Sequence, residues 1–314
     1  ESRWGHFFKN STPPREWSFL LRLAKPNIPF QTSFLYTVYT PHMPVWLLPT
    51  LFAAAIAITI TVVIEKLGGK KGGLLGSLPS TIVPATIGIY ASAPNLDAFR
   101  EAMYITPAGM LINGIFLYLW RVVPPRIPAF GTHVRLGICA TINLIAWGVI
   151  AALLVQIISI LKTWEISLFT ISIVVMVLLG GFGIFACLRN PPAPKGHNKV
   201  SLITLLFRGV LAGAAIGIAV LLSEHGGAML AGIAAVFPAI FLTTMCALWI
   251  SQGETVGAGA AGPMMLGGTS VSLFSILAAW AVPVLGVTIG CTLSWCVAVG
   301  TVTIPAWFWL NRRA

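Results

Sequence analysis

From Trp46 to the C-terminus the sequence is a succession of apolar runs, most of 18 residues or more, separated by short stretches rich in Gly, Pro, Lys or Arg. A helix needs about 20 apolar residues to cross the roughly 30 Å of hydrocarbon in a bilayer. The runs lie at about 46–64, 73–91, 104–120, 136–161, 166–188, 201–222, 228–250, 264–281 and 284–310, and they predict nine spans. Composition agrees with this. Of 314 residues 57% are apolar and 9% charged, and the mean hydropathy is +0.90, whereas a soluble domain carries about 25% charged residues. A water-soluble enzyme is excluded, and the expected fold is an all-α, polytopic integral membrane helix bundle. Trp46, Tyr104, Trp120, Trp164, Trp280, Trp307 and Trp309 fall near run ends, where an amphipathic ring suits the lipid–water interface.

Residues 1–45 are different. Pro26, Pro29, Pro41 and Pro44 stand among aromatics, and each proline removes a backbone donor that lipid cannot replace. This segment reads as an interfacial N-terminal arm. Within it Trp17–Leu23 has the pattern of a short amphipathic helix, with Arg15, Arg22 and Lys25 placed for lipid phosphates. The chain opens on Glu1 without the charged-then-apolar pattern of a cleavable signal, an opening consistent with a removed targeting segment. Cys139, Cys187, Cys246, Cys291 and Cys296 all sit inside apolar runs without metal-ligand spacing, and read as small apolar residues.

The net charge of +11 is distributed by side rather than by patch. Connections after the first, third and fifth runs, together with the C-terminus, hold Lys66, Lys70, Lys71, Arg121, Arg126, Arg135, Arg189, Lys195, Lys199, Arg312 and Arg313; the opposite connections hold only Arg100 and Lys162. The positive-inside rule then places the C-terminus on the cytoplasmic side, or the matrix or stromal side of an organelle. The five cations of the arm fall on the other side, which runs against the rule. Nucleic acid is not expected as a partner, because these charges report orientation and contact with membrane lipid.

An internal repeat organises the membrane part. At an offset of 159 residues, IEKLGGKKGGLLGSLP (64–79) aligns without a gap on SEHGGAMLAGIAAVFP (223–238). Only eight of the 47 positions in 46–92 are identical, but they include Glu65 with Glu224, Gly68 with Gly227, Gly73 with Gly232 and Pro79 with Pro238. Glu is rare in this chain, so that ordered set is harder to obtain by composition than matched Leu or Ala. The reading is two four-span repeats, 46–161 and 201–314, joined by a linking span and basic loop, 162–200. Each span and its copy are separated by an odd number of crossings, so the copies are inverted.

Inverted repeats build many secondary transporters, whose sites lie on helices interrupted by Gly or Pro near the midplane. The second and seventh runs fit that description through Pro79, Pro84 and Pro238, with Ser80, Thr81, Thr243 and Thr244 nearby to supply hydroxyls. A packing role for the same small residues is the competing reading, and Gly72/Gly76, Gly213/Gly217 and Gly286/Gly290 have the spacing of helix-packing faces. Glu65 and Glu224 stand where one run turns into the next, and read either as solvated helix-end residues or as proton or cation carriers. Arg208 falls inside the sixth run, either as the partner of an anionic group or snorkelling to the interface. The Gly-rich connection 251–270, with Ser251, Gln252, Glu254, Thr269 and Ser270, reads as a surface loop or as a re-entrant, anion-holding turn. Asn113, Asn143 and Gln156 are uncharged polar groups inside runs, of the kind that hydrogen-bond between helices.

The sequence thus favours a secondary transporter or permease for a small polar or anionic solute, with no catalytic residue, metal or cofactor. HExxH, GxSxG and paired intramembrane Asp motifs are absent from it. The contrasting class is a non-catalytic subunit of a membrane complex, and self-association is compatible with either.

Overall fold

The computed structural model describes residues 44–67, 78–189 and 202–312, without the side chains of 60–67, 202, 204, 205, 251 and 252. Residues 1–43 of the arm and the segments 68–77, with the Gly72/Gly76 pair, and 190–201 lie outside the described residues. All regular structure among those described is helical: α1 Leu47–Leu67, α2 Ile82–Ser92, α3 Leu96–Val122, α4 Thr132–Thr163, α5 Leu168–Leu188, α6 Leu202–Glu224, α7 Ala228–Ala234, α8 Ala239–Gln252, α9 Glu254–Leu285, α10 Val287–Ala298 and α11 Ile304–Asn311. Seven helical stretches are long and apolar enough to cross a bilayer: Leu96–Val122, Thr132–Thr163, Leu168–Leu188, Leu206–Glu224, Ala228–Ile250, Glu254–Leu285 and Val287–Asn311. The chain is an integral membrane protein, and these seven correspond to the third to ninth apolar runs. The first two runs correspond to α1 and α2, which border the undescribed segment 68–77.

Two helices begin well before the apolar runs that mark them. The third run starts near 104, but α3 starts at Leu96, because the Asn95 side chain accepts the Ala98 N–H at 2.8 Å and Asp97 occupies the positive end of the first turn. The second case corrects an expectation. Residues 254–270, read as a loop or re-entrant turn, form the first half of α9. Five glycines there would weaken an isolated helix, yet Gly257, Gly262 and Gly268 each open a place where a neighbour approaches the backbone. A β-carbon at Gly262 would lie 2.9 Å from an Arg121 nitrogen, and one at Gly268 would lie 2.8 Å from the Met110 methyl. Tertiary packing decides the conformation.

Small residues set the other close contacts as well. α1 and α6 cross with Gly209 against Ile58 and Ala54, Gly213 against Thr50 and Ala54, and Gly217 against Thr50. Later residues of α6 meet earlier residues of α1, so the pair is antiparallel. α9 packs on α3 and on α5; Gly183 of α5 would place a β-carbon 2.9 Å from the Leu266 backbone. The turns into α9 and α10 each use a glycine in the left-handed region, Gly253 at φ 94° and Gly286 at φ 81°, where other residues are strained. In the last run a π-helical turn, Val299–Thr303, precedes Pro305, and such a widened turn is one way a helix tolerates a missing N–H. Pro84, by contrast, lies in the first turn of α2, where its missing N–H has no partner to lose.

Most of the described polar contacts between helix ends lie at two levels. At one, Arg135 pairs with Glu254 at 3.0 Å, and Arg121 donates to the Ala258 carbonyl at 2.7 Å and the Ala186 carbonyl at 2.8 Å. The C-terminal helix reaches this end, since Leu310 and Cys187, the latter next to Ala186, pack against one small cluster, Leu266 and Ala306. At the other, Lys162 pairs with Glu101 at 2.9 Å.

Gly213→Ala is expected to lower stability by about 1–3 kcal/mol through overpacking, because the added carbon falls 2.9 Å from the Thr50 carbonyl oxygen. Gly181→Ala, at a site with nothing within 4 Å, should leave it unchanged or slightly higher. Thermal unfolding of the two variants in detergent micelles makes the comparison.

Candidate functional site

The seventh run is one span broken in two. Pro238 has no N–H, and residues 235–238 separate α7 from α8. The chain tightens there: Val236 donates to the Ile233 carbonyl at 3.2 Å, Phe237 to Ala234 at 3.0 Å, and Ala239 turns back to Phe237 at 2.8 Å. Inside a bilayer the carbonyls left over by such a break need other donors. Asn113 of α3, 1% exposed, supplies one, its Nδ2 donating to the Val236 oxygen at 2.6 Å. The Asn113 Oδ1 in turn accepts the Trp147 indole N–H at 2.8 Å, and the Trp147 ring meets Phe237 edge-on with centroids 5.2 Å apart. The amide thus ties α3, α4 and the break together.

A second carbonyl collects three donors. The Ile240 oxygen, in the first turn of α8, accepts from Arg208 Nη2 at 3.1 Å, from the Thr244 hydroxyl at 2.6 Å and from the Thr243 hydroxyl at 3.1 Å; Thr243 also donates to Ala239 at 2.8 Å. Arg208 is 4% exposed. It is therefore held inside the bundle rather than extended along its surface to the headgroups.

The other proline break faces this one. Pro79 is buried in the bend before α2, Ser80 donates its N–H to the Leu78 carbonyl at 2.7 Å, and Thr81 precedes the first residue of α2. Between the two breaks lies a cavity of about 60 Å³, room for roughly two water molecules at their liquid volume. Leu78, Thr81 and Ile82 line it from one break and Ala235, Val236, Phe237, Ile240 and Phe241 from the other, while Met110 and Asn113 of α3 and Val271 of α9 close it. The N-termini of α2 and α8 both open toward it, and the positive ends of helix dipoles favour partial negative charge. Just before Val271 on α9, Thr269 and Ser270 have hydroxyls that are buried without a hydrogen-bond partner among the described residues.

Of the candidates Thr81 lines the cavity, Pro79, Ser80 and Pro238 lie on the breaks that frame it, and Thr243, Thr244 and Arg208 bond the carbonyl of Ile240 in its lining. The cavity does not gather the acidic candidates. Glu224 is exposed on the last turn of α6, 16 residues and so about 24 Å of helix from Arg208, and His225 beside it bonds the Leu221 carbonyl. The side chain of Glu65 lies outside the described residues, and its backbone sits at the end of the α1–α6 pair opposite Glu224. Glu254 is engaged with Arg135 at the start of α9, and Ser251 and Gln252 end α8 with side chains outside the described residues. Among the described residues no group of three or more His, Cys, Asp or Glu is placed to hold a metal ion. The apolar lining, Phe237 and Phe241 above all, carries no chemical signal in the sequence, although the repeat alignment already pairs Leu78 with Phe237 and, over 46–92, Ile82 with Phe241.

Comparison with protein-family models, curated proteins and solved structures gives no match.

Asn113→Ala is expected to destabilise the protein by about 1–3 kcal/mol, the cost of leaving a buried partner unsatisfied, since it strands both the Val236 carbonyl and the Trp147 indole. Urea or thermal unfolding in micelles measures the loss, and a changed emission of Trp147 in a variant with its other tryptophans replaced reports on the indole.

Proposed function

We propose that this chain is a secondary transporter or permease that moves a small polar or anionic solute by alternating access between two inverted repeats. The observation that carries the reading is that the cavity is framed by residues paired at the offset of 159. Leu78 and Phe237, Thr81 and Ile240, and Ile82 and Phe241 are each a residue and its copy, and all six line it.

The α1–α6 crossing supports the same symmetry. In the offset Thr50 corresponds to Gly209, Ala54 to Gly213 and Ile58 to Gly217. Gly209 meets Ile58 while Gly217 meets Thr50, and Gly213 meets its own counterpart Ala54. Contacts in which each residue touches the other's copy are what a two-fold axis produces, and for antiparallel helices that axis lies in the membrane plane. A site on such an axis is presented equally to both sides as one repeat rocks against the other.

The solute class follows from what faces the cavity. Two helix N-termini and a buried guanidinium on the adjoining Ile240 carbonyl favour negative or strongly polar character, and the volume restricts the occluded solute to a few heavy atoms. The excess of cations at the Arg121–Arg135 end supports a reading in which that end, with the C-terminus, faces the cytoplasm, matrix or stroma.

Flux into proteoliposomes, measured with a panel of small anions, neutral solutes and cations, tests the proposal. Protein-dependent flux is expected for a small anion or polar solute, and Ala235→Leu, which fills the cavity, should lower it at least about tenfold, equivalent to 1.4 kcal/mol in the barrier. On a background without the five native cysteines, Thr81→Cys should react with an impermeant maleimide from either side of the membrane. No flux for any solute under imposed pH and voltage gradients, with fixed partners copurifying, would favour a complex subunit instead.

A further inference from the structure

The least covered span in the bundle is α4. One face of it, through Leu136, Cys139, Asn143, Trp147, Ala151 and Ile158, packs into the protein, while the other is open. Lipid covers an apolar face without difficulty, but this one is interrupted by Gln156, which is exposed and makes no hydrogen bond to any described residue. Its depth matters. Trp164, 68% exposed just past the end of α4, and the Lys162–Glu101 pair mark the interface. Gln156 lies six residues before Lys162, about 9 Å along the helix, and so inside the roughly 30 Å of hydrocarbon rather than at its edge. A glutamine side chain cannot extend that far to reach water, and lipid tails offer its amide nothing to bond.

The surroundings of Gln156 are shaped for a close neighbour. Gly148 and Ala152, eight and four residues before it, share its face and are exposed, and Ser159 follows on the next turn with its hydroxyl turned back to the Val155 carbonyl. A β-carbon at Gly148 would meet nothing within 4 Å, so this small residue serves no contact inside the protein.

We propose that the chain forms a two-fold homodimer through this face, with Gln156 of each copy hydrogen-bonded to Gln156 of the other. An amide is donor and acceptor at once, so an identical amide across a two-fold axis satisfies it in both respects. An axis along the membrane normal keeps both copies in the same orientation, sets the two α4 helices parallel, and brings residue 156 opposite residue 156. Gly148 and Ala152 then also face their own copies, which is the small-residue contact that lets membrane helices approach closely. The inference is independent of the transport reading.

Energy transfer between donor- and acceptor-labelled copies in liposomes, followed as the lipid-to-protein ratio is raised, measures the association. The unsubstituted chain is expected to dimerise. Gln156→Leu should weaken association roughly three- to twentyfold, the range spanned by hydrogen bonds between membrane helices, and Gln156→Asn should recover part of the loss. Gly148→Leu with Ala152→Leu should abolish dimers without lowering the unfolding temperature, because neither added side chain meets the protein's own interior. A monomer at every dilution, or a dimer indifferent to all of these changes, overturns the proposal.

Discussion

A proline in a membrane span leaves backbone oxygens without their usual donors, and hydrocarbon supplies none. At the Pro238 break the protein answers this with side chains from three other helices or turns. Asn113 reaches the Val236 carbonyl from α3, Arg208 reaches the Ile240 carbonyl from α6, and Thr243 and Thr244 bend back from α8 itself. The shape of the region depends on these bonds. They hold α7 and α8 as two short helices rather than one, and that leaves space between the breaks for a cavity. Asn113 also positions Phe237, because its Oδ1 accepts the indole N–H of Trp147 and so fixes that ring against it.

Glycine has the complementary role. Where proline opens backbone, glycine at the α1–α6 crossing, at Gly183 against Leu266 and along the first half of α9 brings backbones together. With no hydrophobic drive between helices in lipid, close van der Waals packing is a main source of cohesion. The bundle thus combines a tightly packed framework of α3, α5 and α9 with a pair of proline breaks that border a cavity.

Much of the architecture was legible in the sequence because hydrophobic length is such a strong signal: among the described residues seven of the nine runs correspond to helices both long and apolar enough to span, and the first run to the 21-residue α1. Element boundaries were less so. Leu96–Met103 is too polar to register as a span, yet its capped turns extend α3; the glycines of 254–270 look like a loop until their neighbours are known. Of the site, the proline breaks and Arg208 could be picked out by rarity. Asn113 could be read as an interhelical hydrogen bond, but not as one made to the broken backbone, because its partner, a carbonyl, has no sequence signature. The acidic residues misdirected attention for the opposite reason. Glu224 is conspicuous in the text of the chain and lies at the end of a helix, far from the cavity.

The length of α4 has a consequence of its own. Its apolar stretch, 136–161, measures about 39 Å along a helix, against roughly 30 Å of hydrocarbon. A helix gripped on only one face can take up that excess by leaning, or by drawing the surrounding acyl chains out to its own height. Because α4 carries Trp147, the partner of Asn113, the angle at which it leans is mechanically linked to the proline break. A bilayer with a thicker hydrocarbon core would therefore ask for less lean of α4 than a thin one.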